Sequence, residues 1–494
     1  MTGQQSMNRR TFIGMLAAGA GASYFSAGAH SSARAGSSDR KQTRPNIVII
    51  IADDLGWADV GYHNPEIQTP NLDNLVKQSV CFDRHYVMPT CTPTRVGLLT
   101  GRYPSRYGVL SPAYGKIFDD DTVTLAQALR DCGYATSLTG KWHMGSPPEY
   151  TPLKYGFDSS YGYFHGQTDP YTHYYKTGER SWHRNDQFLD EEGHATDLIT
   201  NEAVRVIERD HEKPFFLYVA YSVPHHPLAE PQEWLSKYEG RIEDASRRLF
   251  AASVTHMDHG IGRIIDALER KKLRENTLVV FTSDNGGQTG WNSKTEYKGR
   301  YADKPQPVLG NNKPLHGWKG EVYEGGIRVP AMANWPGVLK PGTLAVPVHI
   351  VDWMPTLCGL VAEHAVRSGS LPDSGPARTG VPSGSEGPSP KADLKWDGRD
   401  VWASVSKGTA PDEPRLFYWR TPNASAVRLG DWKLIVQKKG NGSTGSPSRA
   451  RSREGAELYD VTSDPYEEHD LAQQHPDRVK DLRQRLAALS ADDR

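Results

Sequence analysis

Three short apolar runs without polar alternation restrict the fold of this chain more than any other feature. They occupy residues 45–51, 214–220 and 277–282. Such runs are typical of strands that are buried on both faces of a parallel sheet. Helical patterns alternate with them at residues 124–131, 195–209 and 247–268. The sequence therefore predicts the α/β class, with a large mixed, mostly parallel sheet flanked by helices.

The chain divides into a large domain at residues 45–397 and a smaller one at residues 398–494. Within the first, residues 368–390 are rich in Gly, Ser and Pro and predict a flexible surface insertion. The second contains short strand-like runs and ends in a helical pattern at residues 476–489. We therefore predict a small α+β domain with an antiparallel sheet and a terminal helix. Its predicted strands are residues 416–419, 426–429, 432–436 and 458–460.

The N-terminus has the layout of an export signal. Arg9 and Arg10 precede an apolar, Gly- and Ala-rich run that is followed by small-residue cleavage options near residues 29 and 35. This pattern predicts a twin-arginine (Tat) signal peptide at residues 1–35 and a linker at residues 36–44. The Tat translocase would deliver the protein to the periplasm or the extracellular space. An uncleaved membrane anchor is the alternative, although Ala and Gly contribute little to membrane insertion.

Composition excludes several classes of protein. The chain has 58 Lys and Arg against 59 Asp and Glu, a net charge of −1, so no nucleic acid or acidic membrane is indicated as a partner. With 37% hydrophobic and 24% charged residues, it is neither wholly disordered nor a multi-span membrane protein. Its four cysteines are too few for a disulfide scaffold, and any pairing among Cys81, Cys132 and Cys358 is left open.

Acidic and amide residues follow two of the apolar runs. Asp53 and Asp54 follow the first run, and Asp284 and Asn285 follow the third. Because ligands of open α/β sheets bind at the carboxyl ends of the strands, these side chains are expected to meet at one edge. Three carboxylates and an amide are hard oxygen ligands that predict Ca²⁺ or Mg²⁺, and without a cation they would repel one another. The alternative is that each acidic pair caps the following helix.

Basic side chains are expected near the same edge. Lys141 and His143 follow a strand-like segment and, two positions apart, lie on one face of it. His225 comes after the second apolar run, and Lys319 precedes a Glu-Gly-Gly turn. Singly, each would be explained by a surface lysine or a hydrogen-bonded histidine. Together, beside an acidic metal site, they favour a tetrahedral oxyanion substrate, and both phosphate and sulfate fit.

One cysteine precedes a predicted helix. Cys91 opens the segment Cys-Thr-Pro-Thr-Arg at residues 91–95. Backbone N–H groups at a helix start gather anions, so this cysteine is a candidate thiolate nucleophile.

The motif Cys91-x-Pro93-x-Arg95, with Leu-Thr-Gly-Arg at residues 99–102, resembles the signature of the type I, formylglycine-dependent sulfatases. Further blocks resemble this family in the family's own order. The resemblance implies the mixed α/β sandwich of the alkaline phosphatase superfamily, and sulfuric ester hydrolysis. It also implies oxidation of Cys91 to Cα-formylglycine by a maturation enzyme. The further blocks are residues 52–57, 140–143, 284–286, 319–326, 458–460 and 464–465.

The resemblance implies a nucleophile and a metal. Hydrated formylglycine at Cys91 would attack sulfur and form a covalent sulfate ester, from which its second hydroxyl expels sulfate. Ca²⁺ would bind the formylglycine and a sulfate oxygen and offset the developing charge. The implied metal ligands are Asp53, Asp54, Asp284, Asn285 and the modified Cys91.

The basic residues receive roles by the same resemblance. Arg95 would orient the diol, and Lys141 and Lys319 would clamp the sulfate. His143 would act as a base in the release of sulfate, and His225 would protonate the leaving oxygen.

Two further histidines, His226 and His316, lie in the segments that resemble the family. His226 lies beside His225, but the His-x-Pro pattern of the family favours His225, with Pro227 two positions on. His316 is predicted as a further contact to the substrate, together with Lys141, His225 and Lys319.

Within the family, residues 156–163, 224–231 and 314–316 look most like the N-acetylgalactosamine-4-sulfatase (arylsulfatase B) group. The implied substrate is a sulfated carbohydrate or an aryl sulfate. An aromatic segment at residues 161–175 predicts either a sugar-binding rim or a packed loop. The rival functions are a phosphonate or phosphate ester hydrolase of the same superfamily and a non-catalytic protein that binds sulfated glycans.

Overall fold

The computed structural model of the chain describes residues 44–147, 149–290, 309–367, 395–438 and 455–494. The predicted signal peptide at residues 1–35, nearly all of the linker and the predicted insertion at residues 368–390 lie outside these ranges. Within them, no helix combines the length and the apolar character that a membrane crossing requires.

A ten-stranded mixed sheet forms the centre of the molecule, and a separate four-stranded antiparallel sheet follows it in the chain. The strands are β1 (Asn46–Asp53), β2 (Val80–Phe82), β3 (His85–Tyr86), β4 (Ala135–Lys141), β5 (Ser159–Tyr163), β6 (Trp182–Arg184), β7 (Gln187–Phe188), β8 (Phe215–Pro224), β9 (Thr277–Ser283), β10 (Ala331–Asn334), β11 (Gly342–Leu344), β12 (Val348–His349), β13 (Leu416–Arg420), β14 (Ala424–Leu429), β15 (Trp432–Gln437) and β16 (Gly455–Asp460).

The helices of the described residues are, in chain order, α1 (Pro70–Val76), α2 (Cys91–Thr100), α3 (Leu125–Asp131), α4 (Ala195–Glu208), α5 (Gln232–Leu235), α6 (Ala245–Arg270), α7 (Glu324–Ile327), α8 (Trp353–Arg367), α9 (Trp402–Lys407) and α10 (Pro476–Ser490).

The large sheet has the order β11-β2-β10-β9-β1-β8-β4-β5-β6-β7. Its five central strands, from β9 to β5, are parallel, whereas β10 and β6 join them antiparallel. The predicted apolar runs are the three adjacent strands β9, β1 and β8. The prediction of a large mixed, mostly parallel sheet flanked by helices is therefore confirmed.

Alternate residues of β1 belong to two different hydrophobic cores. Ile47, Ile49 and Ile51 lie in one core, and Val48 and Ile50 lie in the other, all of them buried. Residues of α2, α3 and α8 pack into the first core, and residues of α1, α4 and α6 pack into the second. Because helices cover both faces of the sheet, a polar residue on either face of β1 would be buried, which explains the run without alternation.

The C-terminal part contains the four-stranded antiparallel sheet β13-β14-β15-β16, followed by α10. Leu482 and Leu486 of this last helix are buried in the first core. The predicted small antiparallel sheet with a terminal helix is thus confirmed, while the exact boundary at residue 398 stays a prediction.

Candidate active site

The residues that follow β1 and β9 meet at one edge of the sheet, where sequence patterns place them. The Asp54 backbone N–H donates to Oδ1 of Asp284 at 3.2 Å, and the Asn285 amide donates to Oδ1 of Asp54 at 2.8 Å. Asp53, Asp54, Asp284 and Asn285 are all fully buried. Asp54 has a left-handed backbone with φ of 70°, a conformation that is uncommon outside glycine and that is found at functional sites.

The donor set fits a divalent cation. Oδ1 of Asp53 and Oδ1 of Asn285 are buried and have no hydrogen-bond partner among the described residues. Asp53, Asp284 and Cys91 also offer ligand atoms within 4.8 Å of one another. Burial, opposed by Lys141 and reinforced by the neighbouring carboxylates, raises the pKa of Asp53 to about 8. Unsatisfied hard oxygen atoms whose negative charge needs an opposite charge are suited to Ca²⁺ or Mg²⁺.

Each carboxylate nevertheless has a buried cation of the protein beside it. The pairs are Lys141 with Asp53 at 2.6 Å, Lys319 with Asp54 at 2.6 Å, and Arg95 with Asp284 at 2.8 Å. Three carboxylates and three cations therefore interleave in one buried cluster. The protein's own cations therefore offset part of the repulsion that is expected between the clustered carboxylates, and a bound metal ion stays a prediction.

Cys91 lies at the centre of this cluster, as the first residue of α2. Its side chain is buried, and Sγ lies 3.3 Å from Nδ1 of His143. Burial raises the pKa of the thiol, although Lys141 and Lys319 oppose this shift. A thiol with a raised pKa is a poor nucleophile, so the simple thiolate mechanism is disfavoured. All four cysteines are free, so none of them is held in a disulfide.

The two predicted histidines reach the cluster from different strands. His143 follows β4 with a left-handed backbone, φ 56°, and His225 follows β8 with Nε2 3.8 Å from Oδ2 of Asp54. Burial and the charge of Lys141 lower the pKa of His143, and burial and the charge of Lys319 lower the pKa of His225. The ring of His226 stacks on His225 at 4.2 Å, so the two remain neighbours as expected.

His316 makes its contacts away from the cluster. Its ring is exposed on one side and stacks on Tyr323 at 4.3 Å, and its carbonyl accepts a hydrogen bond from the backbone N–H of Gly325. Within the described chain, no hydrogen bond or ion pair connects its side chain with Lys141, Lys319 or His225. A role for His316 as a substrate contact stays a prediction.

Two site residues are absent from the sequence-based predictions. Tyr218 lies within β8, and its hydroxyl accepts a hydrogen bond from Nη1 of Arg95 at 3.2 Å. Gly166 lies against His143 so closely that a Cβ there would stand 2.5 Å from the imidazole Cε1 and Nε2 atoms. Tyr218 carries the one hydroxyl of the apolar run at residues 214–220, which was an available signal. No local pattern distinguishes Gly166 from other glycines.

The arrangement defines a class of protein. Three carboxylates suited to a hard cation, two lysines and an arginine lie around the first residue of a helix at the carboxyl edge of a parallel sheet. Such a site holds a tetrahedral oxyanion and stabilises the charge that develops on it. The fold and the site therefore belong to an ester hydrolase that acts on a phosphate-like or sulfate-like group.

Comparison with known proteins identifies the family. The family model described as Sulfatase matches residues 45–363. Arylsulfatase J of Mus musculus is 31% identical, in a match that covers 91% of this chain and 76% of that protein. N-acetylgalactosamine-6-sulfatase of Mus musculus is also 31% identical, over 79% of this chain and 71% of that protein. The chain belongs to the sulfatase family and is a sulfuric ester hydrolase.

The fold is also similar to that of solved structures. The crystal structure of Ps i-CgsB in complex with k-i-k-neocarrahexaose superposes with a TM-score of 0.75 at 28% identity, covering 92% of this chain and 94% of that chain. The predicted sulfatase-type fold is therefore confirmed. Arylsulfatase J and the 6-sulfatase carry other names than the N-acetylgalactosamine-4-sulfatase group, so the narrower resemblance to that group stays a prediction.

Proposed function

We propose that the protein removes sulfate from a sulfated carbohydrate, with Cα-formylglycine formed from Cys91 and with Ca²⁺ at the acidic edge of the sheet. The observation that carries this proposal is the position of Cys91, buried between a carboxylate cluster and three cations, with an imidazole 3.3 Å from its sulfur. An ordinary thiol has no evident use there, since burial raises its pKa.

Formylglycine would supply the attacking oxygen, and Ca²⁺ would supply the main positive charge. If Cys91 is converted to formylglycine, its hydrated aldehyde would supply a nucleophilic hydroxyl and a second hydroxyl through which sulfate could be released. Asp53, Asp54, Asp284 and Asn285 would hold Ca²⁺, which would offset negative charge on the sulfate. Oδ1 of Asp53 and Oδ1 of Asn285 lack a hydrogen-bond partner in the described chain.

The protein's own cations hold the sulfate. Lys141 and Lys319 are fixed by their carboxylate partners and flank residue 91, so an anionic sulfate ester binds between them. Arg95 is held by Asp284 and by the hydroxyl of Tyr218, which fixes its position beside the helix start. These cations are in place before the substrate arrives, so little reorganisation is needed during the reaction.

The histidines move protons. Nδ1 of His225 contacts the carbonyl of His226, which leaves Nε2 toward Asp54 and the site. In the free protein, burial and Lys319 lower the pKa of His225. A bound sulfate anion offsets the lysine charges, favours the protonated imidazole, and so allows His225 to protonate the leaving oxygen. His143, in contact with residue 91, serves as the base.

Carbohydrate sulfates are favoured over aryl sulfates as the natural substrate. Ps i-CgsB, a structural relative, was solved in complex with k-i-k-neocarrahexaose, and a sequence relative is named N-acetylgalactosamine-6-sulfatase. Within carbohydrates, the resemblance of residues 156–163 keeps N-acetylgalactosamine 4-sulfate as the first substrate to assay. The Tat signal predicted at residues 1–35 places this activity in the periplasm or outside the cell.

Mass spectrometry of the tryptic peptide 85–95 tests the proposal. Protein produced with a formylglycine-generating maturation enzyme should carry an aldehyde in place of the Cys91 thiol and should release sulfate from sugar sulfates. An unmodified thiol in protein that still releases sulfate would overturn the formylglycine mechanism. Release of phosphonate esters in preference to sulfate esters would favour the rival hydrolase, and tight binding without release would favour the binding protein.

A further inference from the structure

An exposed aromatic ring stands at the candidate active site. Tyr114 is 58% exposed, and its ring centroid lies 5.7 Å from that of His143, the residue in contact with Cys91. Large exposed apolar side chains are few in the described chain, and scattered ones need no explanation. An exposed ring in direct contact with a site residue is a different case, because whatever binds at Cys91 lies close to it.

Tyr114 is held in place from two sides. Its hydroxyl oxygen accepts a hydrogen bond from the hydroxyl of Tyr175 at 3.1 Å. Tyr175 is itself buried and stacks on His165, with 4.5 Å between centroids and 17° between planes. The preceding residue, Ala113, has its backbone nitrogen 3.5 Å from Oγ1 of Thr92, next to Cys91. The ring is therefore positioned relative to residue 91 before any ligand binds.

The alternative is that Tyr114 is only a packing residue of its loop. A packing residue buries its ring, as Tyr175 does at 7% exposure, whereas more than half of Tyr114 faces solvent. A fixed aromatic ring with an open face is the usual partner of a flat, partly apolar ligand, because it offers contact area at a small cost in side-chain entropy.

We propose that Tyr114 is a stacking platform for the sugar ring that carries the sulfate. The inference rests on the proposed function, in which the sulfate lies at residue 91 and the sugar leaves. The C–H face of a pyranose packs on the open face of the tyrosine, while Tyr175 and His165 support the platform from behind. The ring thereby selects sulfate esters of cyclic sugars over inorganic sulfate.

Binding by the catalytically silenced protein tests this inference. Titration calorimetry on the full-length Cys91→Ala protein, in buffer containing Ca²⁺, would compare inorganic sulfate with four sugar sulfates: N-acetylgalactosamine 4-sulfate, N-acetylgalactosamine 6-sulfate, D-glucosamine-2-N,6-O-disulfate and k-i-k-neocarrahexaose. Adding Tyr114→Ala should weaken binding of the preferred sugar by about 10-fold, the value of one aromatic contact. Inorganic sulfate, which has no ring, should bind within about 2-fold of its original affinity.

Matched variants separate stacking from general damage. Tyr114→Phe and Tyr114→Trp keep a ring and should retain sugar affinity, whereas Tyr466→Ala removes another exposed aromatic, 40% exposed, and should change nothing. An equal loss of sugar and inorganic sulfate in Tyr114→Ala would overturn the platform, and so would unchanged sugar affinity. Sugar sulfates that bind no better than inorganic sulfate before Tyr114 is changed would overturn it as well. Because the assay uses Cys91→Ala, absence of formylglycine in the parent protein would refute the proposed function and leave this result unaffected.

Discussion

At the scale of single residues, Gly166 lies so close to His143, the proposed base, that a side chain there would meet the imidazole ring. A Cβ at position 166 would lie 2.5 Å from the imidazole, so Gly166→Ala must displace this ring from Cys91. The displaced group is the end of a side chain, so stability should fall little. Sulfate release should fall by about 10-fold or more, because small misplacements of catalytic groups have large effects on rate.

Gly342→Ala is the matched control for this substitution. Gly342 lies in β11, and nothing lies within 4 Å of the Cβ that alanine would add. It should keep the kcat/KM of the parent protein. If Gly166→Ala also kept it, His143 would not be held by this contact.

Substitution of Cys91 tests the nucleophile directly. Cys91→Ala cannot form the hydrated aldehyde, and Cys91→Ser lacks the thiol that the maturation enzyme would oxidise, so both should lose sulfate release. The side chain is small and buried, and melting temperatures should stay near that of the parent protein. A Cys91→Ser protein with nearly full sulfate release would contradict the mechanism.

The sequence predicts this site unevenly. Asp53, Asp54, Asp284 and Asn285 could be predicted because each follows a strand whose apolar pattern is strong, and the ends of parallel strands meet. The pairing of each carboxylate with a particular cation could not be predicted, since it depends on contacts between residues 88 to 265 positions apart. The role of Gly166 depends on the rotation of one imidazole ring, which no sequence pattern encodes.

At the scale of elements, α6 holds the segment that carries His225. His256, on α6, contacts Glu230 at 2.7 Å through Nδ1 and Asp197, on α4, at 3.2 Å through Nε2. Trp234 of α5 also stacks on its ring at 4.8 Å. Glu230 lies five residues after His225, so this contact fixes the loop that presents the proposed acid.

The protonation of His256 predicts a pH dependence of stability. Burial opposes the charged form, but hydrogen bonds with Asp197 and Glu230 raise the pKa of His256 to about 9 from its ordinary 6.5. Because the folded pKa is the higher one, the stabilisation is complete below pH 6.5 and is lost as pH rises through 9. The parent protein should have a larger free energy of unfolding than His256→Gln at pH 6. In urea unfolding, this difference should decrease by roughly 3 kcal/mol between pH 6 and pH 9.5.

Charged and titratable groups on neighbouring elements also affect the pKa of His256. Asp197 faces His256 from α4, and His194, just before that helix, has its ring centroid 4.8 Å from that of His256. Glu230 faces His256 from the loop, and Arg263 lies near Asp197 from α6. His259→Gln, one turn along from His256 and exposed, is the matched control and should leave the pH dependence unchanged. If the difference in free energy of unfolding between the parent protein and His256→Gln stayed constant up to pH 9.5, His256 would not be held as an imidazolium.

The sequence predicts those helices and strands whose formation depends on a local apolar pattern. It does not predict strands that form because they pair with strands distant in the chain. The central strands β1, β8 and β9 and the helices α4, α6 and α10 follow from their apolar periodicity. By contrast, β10 consists of Ala-Met-Ala-Asn, which carries little strand preference, and it exists because it pairs with β9 and β2. Most of the aromatic segment at residues 161–175 is packed, with Tyr161 and Tyr163 buried in β5, so little of it forms an open rim.

At the scale of the whole molecule, a cation at the carboxylate edge would link strands that are far apart in the chain. Removing it with a chelator, or removing a ligand with Asp284→Ala, should lower both sulfate release and the melting temperature, because a ligand of the folded state stabilises that state. At a free concentration 100 times Kd the contribution is about 2.7 kcal/mol. Differential scanning calorimetry with and without added Ca²⁺ measures it, and full activity in rigorously metal-free protein would contradict a metal role.

The C-terminal sheet supports the active site through one buried ion cluster. Nζ of Lys433, on β15, lies 2.9 Å from Glu324 and 2.8 Å from Glu467, and all three side chains are fully buried. Glu324 begins α7, and the carbonyl of Gly326 in that helix accepts a hydrogen bond from the backbone N–H of Gly286. The small sheet is therefore connected, through α7, to the turn that carries Asp284 and Asn285.

Lys433→Met should consequently damage both stability and activity. It removes the lysine that two buried carboxylates share, and although Arg328 still lies 3.9 Å from Glu324, the loss should cost about 3–5 kcal/mol in chemical denaturation. Sulfate release should also fall at temperatures where the variant is still folded, since α7 supports the acidic edge of the sheet. Lys438→Met, an exposed lysine just after the same strand, should change neither quantity. If Lys433→Met lost stability yet kept its kcat/KM, the C-terminal sheet would stabilise the fold without positioning the metal ligands.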